Sequence, residues 1–250
     1  MTGRAAPLLA ALVAAILSAC LSPASSPTTT VDTTPPTTSP STTAAPTTTI
    51  VPTTPPTTSS PPSTTVAAAD DCLPAALGQA DGTLVVVPGS TPAVGGDDPK
   101  TFAVEVEEGL GVDGECFAGY VNQVLQDARG WIRAGFSFAR TDASGADLVV
   151  ALASPPTVDS RCAPLKTNGW LSCWDGSRAM LNVVRWAEGI PAYDDLWAYR
   201  TYLINHEVGH GLGYGHQDCP GPGEVAPLMM QQTIGLEGCT PNPWPTQDEM

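Results

Sequence analysis

The spacing of apolar residues predicts both strands and helices in the chain after residue 100. Residues 101–106 alternate between apolar and polar positions, as a half-buried strand does. In residues 117–128 the apolar positions recur at i, i+3, i+4, i+7 and i+8, the period of an amphipathic helix. Three further apolar runs predict strands: residues 131–139, 146–153 and 179–186.

A second helix is predicted to begin after Pro191, with Asp194 or Asp195 as its N-cap. At about 100° per residue, one narrow sector of this helix contains four residues: Tyr199, Leu203, His206 and His210. Three more apolar residues widen the same side: Trp197, Ile204 and Val208. A helix with such a wide apolar face is buried, so it carries two imidazoles into the interior one turn apart.

Composition divides the chain into three parts. All aromatic residues lie between Phe102 and Trp244, so we predict one folded domain over residues 70–250. Residues 20–69 are nearly all Ser, Thr, Pro and Ala, with Asp32 the only charge. Such a segment has too little apolar surface to fold, and its proline content favours an extended, disordered stalk.

The first 19 residues have the pattern of an export signal, with Arg4 followed by an apolar run over residues 5–19. The run is shorter than the roughly 20 residues of a membrane span. Residues 17–20, Leu-Ser-Ala-Cys, resemble the bacterial lipobox, which predicts a lipoprotein anchored to the membrane only through Cys20. The alternative is a plain secretory signal that is removed together with Cys20. Both predict an exported protein, in the cell envelope or released outside the cell.

The formal net charge of −15 and the scarcity of lysine, at Lys100 and Lys166 only, exclude some partners. Binding to nucleic acid or to an anionic lipid surface needs clustered Lys and Arg, which the sequence lacks. The acidity predicts a soluble, mutually repelling surface and says little about a substrate. We expect a monomer.

Without Cys20, six cysteines remain: Cys72, Cys116, Cys162, Cys173, Cys219 and Cys239. An even number in an exported protein predicts up to three disulfides, although six cysteines allow 15 connectivities. We prefer the pairing of neighbours in sequence. No Cys-x-x-Cys occurs, so a cysteine zinc site or a thioredoxin-like motif is not expected.

The three histidines of the chain form one motif around Glu207. His206 and His210 are spaced i and i+4, so both can reach one ion from the same helix face. Gly213 allows the chain to turn back, and His216 then supplies a third ligand. Three imidazoles leave the fourth position of a tetrahedral zinc ion open, and Glu207 beside it can act as general base and acid.

Residues 206–216 match the metzincin signature at every defining position, and Pro227-Leu228-Met229-Met230 resembles its methionine turn, with Met229 as the turn residue. Residues 205–210 and 238–245 are also similar to a family of secreted actinobacterial metzincin-like proteins. The resemblance implies an α+β zincin-like fold, with a mixed sheet packed on a long active-site helix and a small loop-rich C-terminal subdomain. It also implies one catalytic zinc ion and peptidase activity. Gln231 or Gln232 stands where some metzincins have a tyrosine, so help from a phenol is not expected.

The resulting hypothesis is an exported zinc metallopeptidase that acts on a peptide, a protein or a related amide such as a peptidoglycan cross-bridge. His206, His210 and His216 bind the metal, Glu207 is catalytic, and Met229 supports the metal floor. Alternatives remain open: the methionines only fill gaps in the core, or the histidines are core residues without metal. The chain could also be an inactive metal-containing binding lipoprotein or a metal scavenger.

Overall fold

The computed structural model describes residues 72–73 and 80–250. The predicted signal peptide (1–19), the lipidation site Cys20 and the stalk (20–69) lie outside the described residues. Within those that are described, no helix has both the length and the apolar character needed to cross a membrane.

In residues 80–250, six strands form one mixed sheet. The strands are β1 (Leu84–Val86), β2 (Lys100–Glu107), β3 (Phe138–Arg140), β4 (Leu148–Ala153), β5 (Cys173–Trp174) and β6 (Arg178–Asn182). The strand order is β1-β2-β4-β6-β5. Strand β3 also pairs with β2, on the same edge as β1 but at the opposite end of β2. Strands β2, β3, β4 and β6 are parallel, whereas β1 and β5 are antiparallel to their neighbours. The sheet therefore ends, on one side, at the short antiparallel strand β5.

Four α-helices accompany the sheet in the described part of the chain: α1 (Gly114–Leu125), α2 (Pro155–Cys162), α3 (Val183–Glu188) and α4 (Leu196–Gly211). Short 3-10 turns occupy Trp131–Ala134 and Gln247–Glu249. Asp113 caps α1 by accepting from the Cys116 N–H, and Asp195 caps α4 by accepting from the N–H groups of Trp197 and Ala198. Both helices predicted from apolar spacing are confirmed, and Asp195 is the N-cap of the longer one.

The two faces of the sheet carry cores of different size because side chains alternate along each strand. On β4, Leu148, Val150 and Leu152 point into the main core, which also contains apolar residues of α1, α3 and α4. Ala151 and Ala153 point the other way, into a small core with residues of α2. Burial on both faces explains why β4 is a continuous apolar run in the sequence.

Two of the predicted strands are partly wrong. Residues 131–139 do not form one strand, because the Trp131–Ala134 turn ends at Gly135 with φ of 89° and only Phe138 and Ala139 join β3. The run 179–186 is split at Asn182, whose side chain accepts from the Val184 N–H and starts α3. A left-handed glycine at position 135 and a side-chain cap at Asn182 thus override apolar continuity.

All three predicted disulfides are present, and they join neighbours in sequence: Cys72–Cys116, Cys162–Cys173 and Cys219–Cys239. The last one lies in residues 212–250, where regular structure is limited to the Gln247–Glu249 turn and an isolated bridge between Val225 and Thr240. The fold is a mixed α/β arrangement with a mixed sheet and few helices, in agreement with the predicted α+β class.

Candidate metal centre

Helix α4 is buried on every side from Tyr199 to Gly209, so it carries His206 into the interior. Gly209 makes this close packing feasible. A Cβ atom there would lie 2.5 Å from Met229 Sδ and 2.6 Å from Trp131 Cζ2, well inside van der Waals contact. Close packing therefore requires a glycine at position 209, because Met229 occupies the space that a larger side chain would need.

The helix ends in a left-handed turn at Gly213, where φ is 97°. The Gly213 N–H donates to the His210 carbonyl at 3.0 Å, and the Tyr214 N–H donates to the Gly209 carbonyl at 2.9 Å. These two bonds satisfy carbonyls at the end of the helix and reverse the chain. His216 is thereby returned to the helical histidines, as the sequence predicted.

The three imidazoles lie close together. Their ring centroids are 4.9 Å apart for His206 and His210, 5.4 Å for His206 and His216, and 4.7 Å for His210 and His216. One ring nitrogen from each residue lies within 4.8 Å of the other two, and the Nε2 atoms of His210 and His216 are 3.1 Å apart. The cluster has the spacing needed to hold a metal ion, so these residues could serve as ligands.

Backbone carbonyls fix the orientation of two of these rings. His206 Nδ1 lies 2.9 Å from the Leu228 carbonyl oxygen, and His210 Nδ1 lies 2.9 Å from the Tyr214 carbonyl oxygen. Because a carbonyl only accepts, both Nδ1 atoms must carry the proton. In the neutral form of each ring, the lone pair is then on Nε2. Outer partners of this kind are a regular feature of metal-ligating histidines.

The protonation states of His206 and His216 also suit a cation. Burial lowers the pKa of His206 to about 3, and burial together with the neighbouring His210 lowers the pKa of His216. Imidazoles with low pKa values are neutral at pH 7, the form that binds metals. Because the Nδ1 atoms of His206 and His210 face backbone carbonyls, the Nε2 atoms of both rings are the ones left to bind a cation.

Glu207 extends from the same helix turn into the cavity beside the histidines. Burial raises the pKa of its carboxyl to about 8. None of the ion pairs in the described part of the chain involves Glu207. The structure therefore places a buried carboxyl group, with no ion-pair partner among the described residues, next to three imidazoles.

The cavity that these residues line has a volume of about 430 Å³. One wall is β5 and the loop before it, residues 163–172, whose ends are joined by the Cys162–Cys173 disulfide. The hydroxyl of Thr167 donates to Asp159 and holds the pKa of that carboxyl below its usual range, which ties the loop to α2. Five of the lining residues present apolar surface: Leu165, Leu171, Trp174, Tyr202 and Ile234.

The residues of the predicted methionine turn lie beneath the histidines. Met229 is fully buried against Gly209, and the Leu228 carbonyl holds His206. Gln231 lines the cavity. From the sequence, Gln231 or Gln232 is the residue that stands where some metzincins have a tyrosine. Gln232 is buried instead, and its amide bonds the carbonyls of Pro227 and Asn242.

Sequence reasoning did not identify two residues that support the centre. The Tyr202 ring lies 5.2 Å from the His206 ring, and its hydroxyl donates to the Met230 carbonyl. Glu249 accepts from the N–H groups of both Leu228 and Met229. Glu249 had a detectable signal, because Thr246 and Glu249 have the spacing of a capping box and the structure contains one there. The pattern predicts a turn but not its contact with the methionine segment.

Comparison with known families places these residues in a wider group. The sequence model of the family described as "Protein of unknown function (DUF3152)" matches residues 73–245, more than half of the chain. The chain belongs to the DUF3152 family. The match includes the complete sheet, the three histidines and the methionine segment. No curated protein and no solved structure matches this DUF3152 chain significantly.

Proposed function

We propose that this DUF3152 chain is an exported zinc-dependent metallopeptidase of the metzincin type, which hydrolyses peptide or related amide bonds. The observation that carries the proposal is the convergence of three imidazole nitrogens within 4.8 Å of one another at a cavity that also contains Glu207. A three-nitrogen site with an adjacent carboxylate and an open face is typical of catalytic rather than structural zinc centres.

His206 and His210 would hold the ion through Nε2, because their Nδ1 atoms donate to carbonyls. His216 would also use Nε2, which lies 3.1 Å from His210 Nε2. When bound, Zn²⁺ supplies Lewis-acid chemistry, in that it lowers the pKa of a water molecule and polarises a substrate carbonyl. Three neutral imidazoles suit zinc among the common divalent ions.

Glu207 is proposed to move the proton. Its carboxylate accepts one proton from the attacking water, whose oxygen forms a bond to the carbonyl carbon of the substrate. The carbon–nitrogen bond then breaks, and Glu207 returns the same proton to the leaving amine. Atoms and charge balance without an additional reactant, and Glu207 ends the cycle as a carboxylate.

The cavity suggests how an extended substrate would lie. β5 is the last strand on its side of the sheet and lines the cavity, so a peptide could pair with its outer edge. Leu165 and Ile234, among the most exposed large apolar residues described, stand at the same cavity. They favour an apolar side chain next to the cleaved bond.

Export is part of the proposal. Three disulfides are expected of a protein that folds outside the reducing cytoplasm, and they agree with the signal predicted in residues 1–19. Cys20 would carry the lipid anchor, and residues 20–69 would hold the domain away from the membrane. We expect a monomer whose only membrane contact is that anchor.

The decisive experiment is a peptide-library digest analysed by mass spectrometry, with the full chain loaded with zinc and with Glu207→Gln as the matched control. We expect cleavage by the wild type and a rate roughly 10²–10⁴-fold lower for the variant, with equal zinc content in both. Zinc retention without cleavage by either protein would favour the inactive binding lipoprotein. Equal cleavage by both would exclude Glu207 as the catalytic base.

A further inference from the structure

The buried carboxylate of Glu249 is connected to His206 of the candidate metal centre through hydrogen bonds to one peptide group. The residue is 3% exposed, and its side chain accepts four hydrogen bonds. The N–H of Met229 donates to Oε1 at 2.7 Å, and the N–H of Leu228 donates to Oε2 at 2.9 Å. Thr246 donates to Oε2 with both its N–H and its hydroxyl, at 2.8 and 2.9 Å.

A single peptide group joins Glu249 to His206. The carbonyl oxygen of Leu228 and the N–H of Met229 belong to the same planar unit. The oxygen side of this unit accepts from His206 Nδ1 at 2.9 Å, while the N–H side donates to Glu249. Hydrogen bonds on both sides of an amide polarise one another, so the carboxylate makes the carbonyl a stronger acceptor.

We propose that Glu249 is a positioning residue for the ligand His206, acting through the Leu228–Met229 peptide group. It fixes the carbonyl that keeps the His206 proton on Nδ1, and it strengthens Nε2 as a metal donor. The proposal rests on the metal site of the proposed function, and it adds a residue from outside the histidine motif.

The hydrogen-bond pattern explains why the position requires a carboxylate. Both oxygens face donors, so a glutamine would direct its own NH₂ group at one of them. In the part of the chain that the structure describes, Glu249 takes part in no ion pair. Its charge is instead compensated by the four donors, two of which belong to the methionine segment.

The test is a titration of the full chain with Co²⁺ and competition with Zn²⁺, because both report the ligand geometry independently of peptidase activity. We expect Glu249→Gln to weaken metal affinity about 10–100-fold, the usual effect of losing an outer partner, and to alter the visible Co²⁺ spectrum. Thr246→Ala is the matched control, because it removes one bond to the same carboxylate without touching the peptide group. It should change affinity by less than about 2-fold.

Each outcome decides between specific alternatives. Unchanged affinity in folded Glu249→Gln, or equal weakening by Thr246→Ala, would overturn the positioning role. His206→Ala separates the two proposals: if it binds metal as well as the wild type does, the metal site itself is wrong. If Glu249→Gln does not fold, Glu249→Asp decides, since it keeps the charge but withdraws the oxygens from Met229. Wild-type affinity and spectrum in that variant would contradict the inference.

Discussion

Two regions of the molecule build the candidate centre by different means. Residues 80–211 form a sheet with helices on both faces, held by strand pairing and two apolar cores. Residues 212–250 contain almost no regular structure, and side chains bond the backbone there instead. Glu249, Gln232 and Asn242 make most of these contacts, and the Cys219–Cys239 disulfide closes the segment.

The two regions contribute different residues to the candidate centre. The helical region supplies His206, Glu207 and His210 at positions set by helix geometry, with little room for adjustment. The irregular segment supplies His216 and the Leu228 carbonyl, whose positions depend on polar contacts. Both regions therefore contribute candidate ligands, and both line the cavity beside them.

The largest effect that distinguishes the regions should be the pH dependence caused by burial of Glu207. The pKa of this carboxyl is about 8 in the folded protein and about 4.5 in its unperturbed state. A raised folded pKa gives stability that is complete below about pH 4.5 and is lost as the pH rises through 8. For the metal-free protein, the free energy of unfolding of the wild type relative to Glu207→Gln should fall by roughly 3–4 kcal/mol between pH 5 and 8.

Urea unfolding at several pH values measures this difference. Comparison with the variant cancels the opposite contribution of His206, whose pKa is lowered to about 3. Adding Zn²⁺ should flatten the dependence, because a nearby cation favours the carboxylate. A difference that does not change with pH would mean that water reaches Glu207 freely.

A somewhat smaller effect is expected when the disulfide of the irregular segment is removed. Replacing Cys219 and Cys239 by serine opens a loop of 20 residues, which should cost about 3 kcal/mol of stability. Metal affinity should fall with it, because His216 lies in the same segment. Thermal unfolding and Co²⁺ titration measure the two quantities.

The matched control removes the Cys72–Cys116 disulfide, which ties the start of the domain to α1. This change should lower stability by at least as much, since it opens a longer loop of 44 residues. Metal affinity should remain near that of the wild type. Equal losses of affinity in both variants would remove the proposed distinction between the regions.

The smallest effect concerns two glycines inside helices. Gly209→Ala should lower stability by about 2 kcal/mol, because the added methyl group meets Met229 and Trp131. Gly119→Ala, in α1, meets nothing within 4 Å and should raise stability by about 0.5–1 kcal/mol. Differential scanning calorimetry of both variants measures the contrast, and effects of the same sign would contradict the packing seen at Gly209.

Sequence reasoning succeeded where a period or a spacing determines position. The i, i+4 histidines, the turn at Gly213 and the helices α1 and α4 all follow local rules. The preferred pairing of neighbouring cysteines is also confirmed. It failed at Asn182 and Gly135, where one residue ends or starts an element inside an apolar run. Glu249 was missed for another reason: its partners lie about 20 residues away, and irregular backbone has no period that links them.

Water reaches the three histidines unequally. His206 is 5% exposed beneath the methionine segment, His210 is half-buried, and His216 is exposed. In the proposed zinc form, protons and chelators would therefore reach the ion from the side of His216. Release of such an ion would begin at His216, because the rings of His206 and His210 are held by backbone carbonyls.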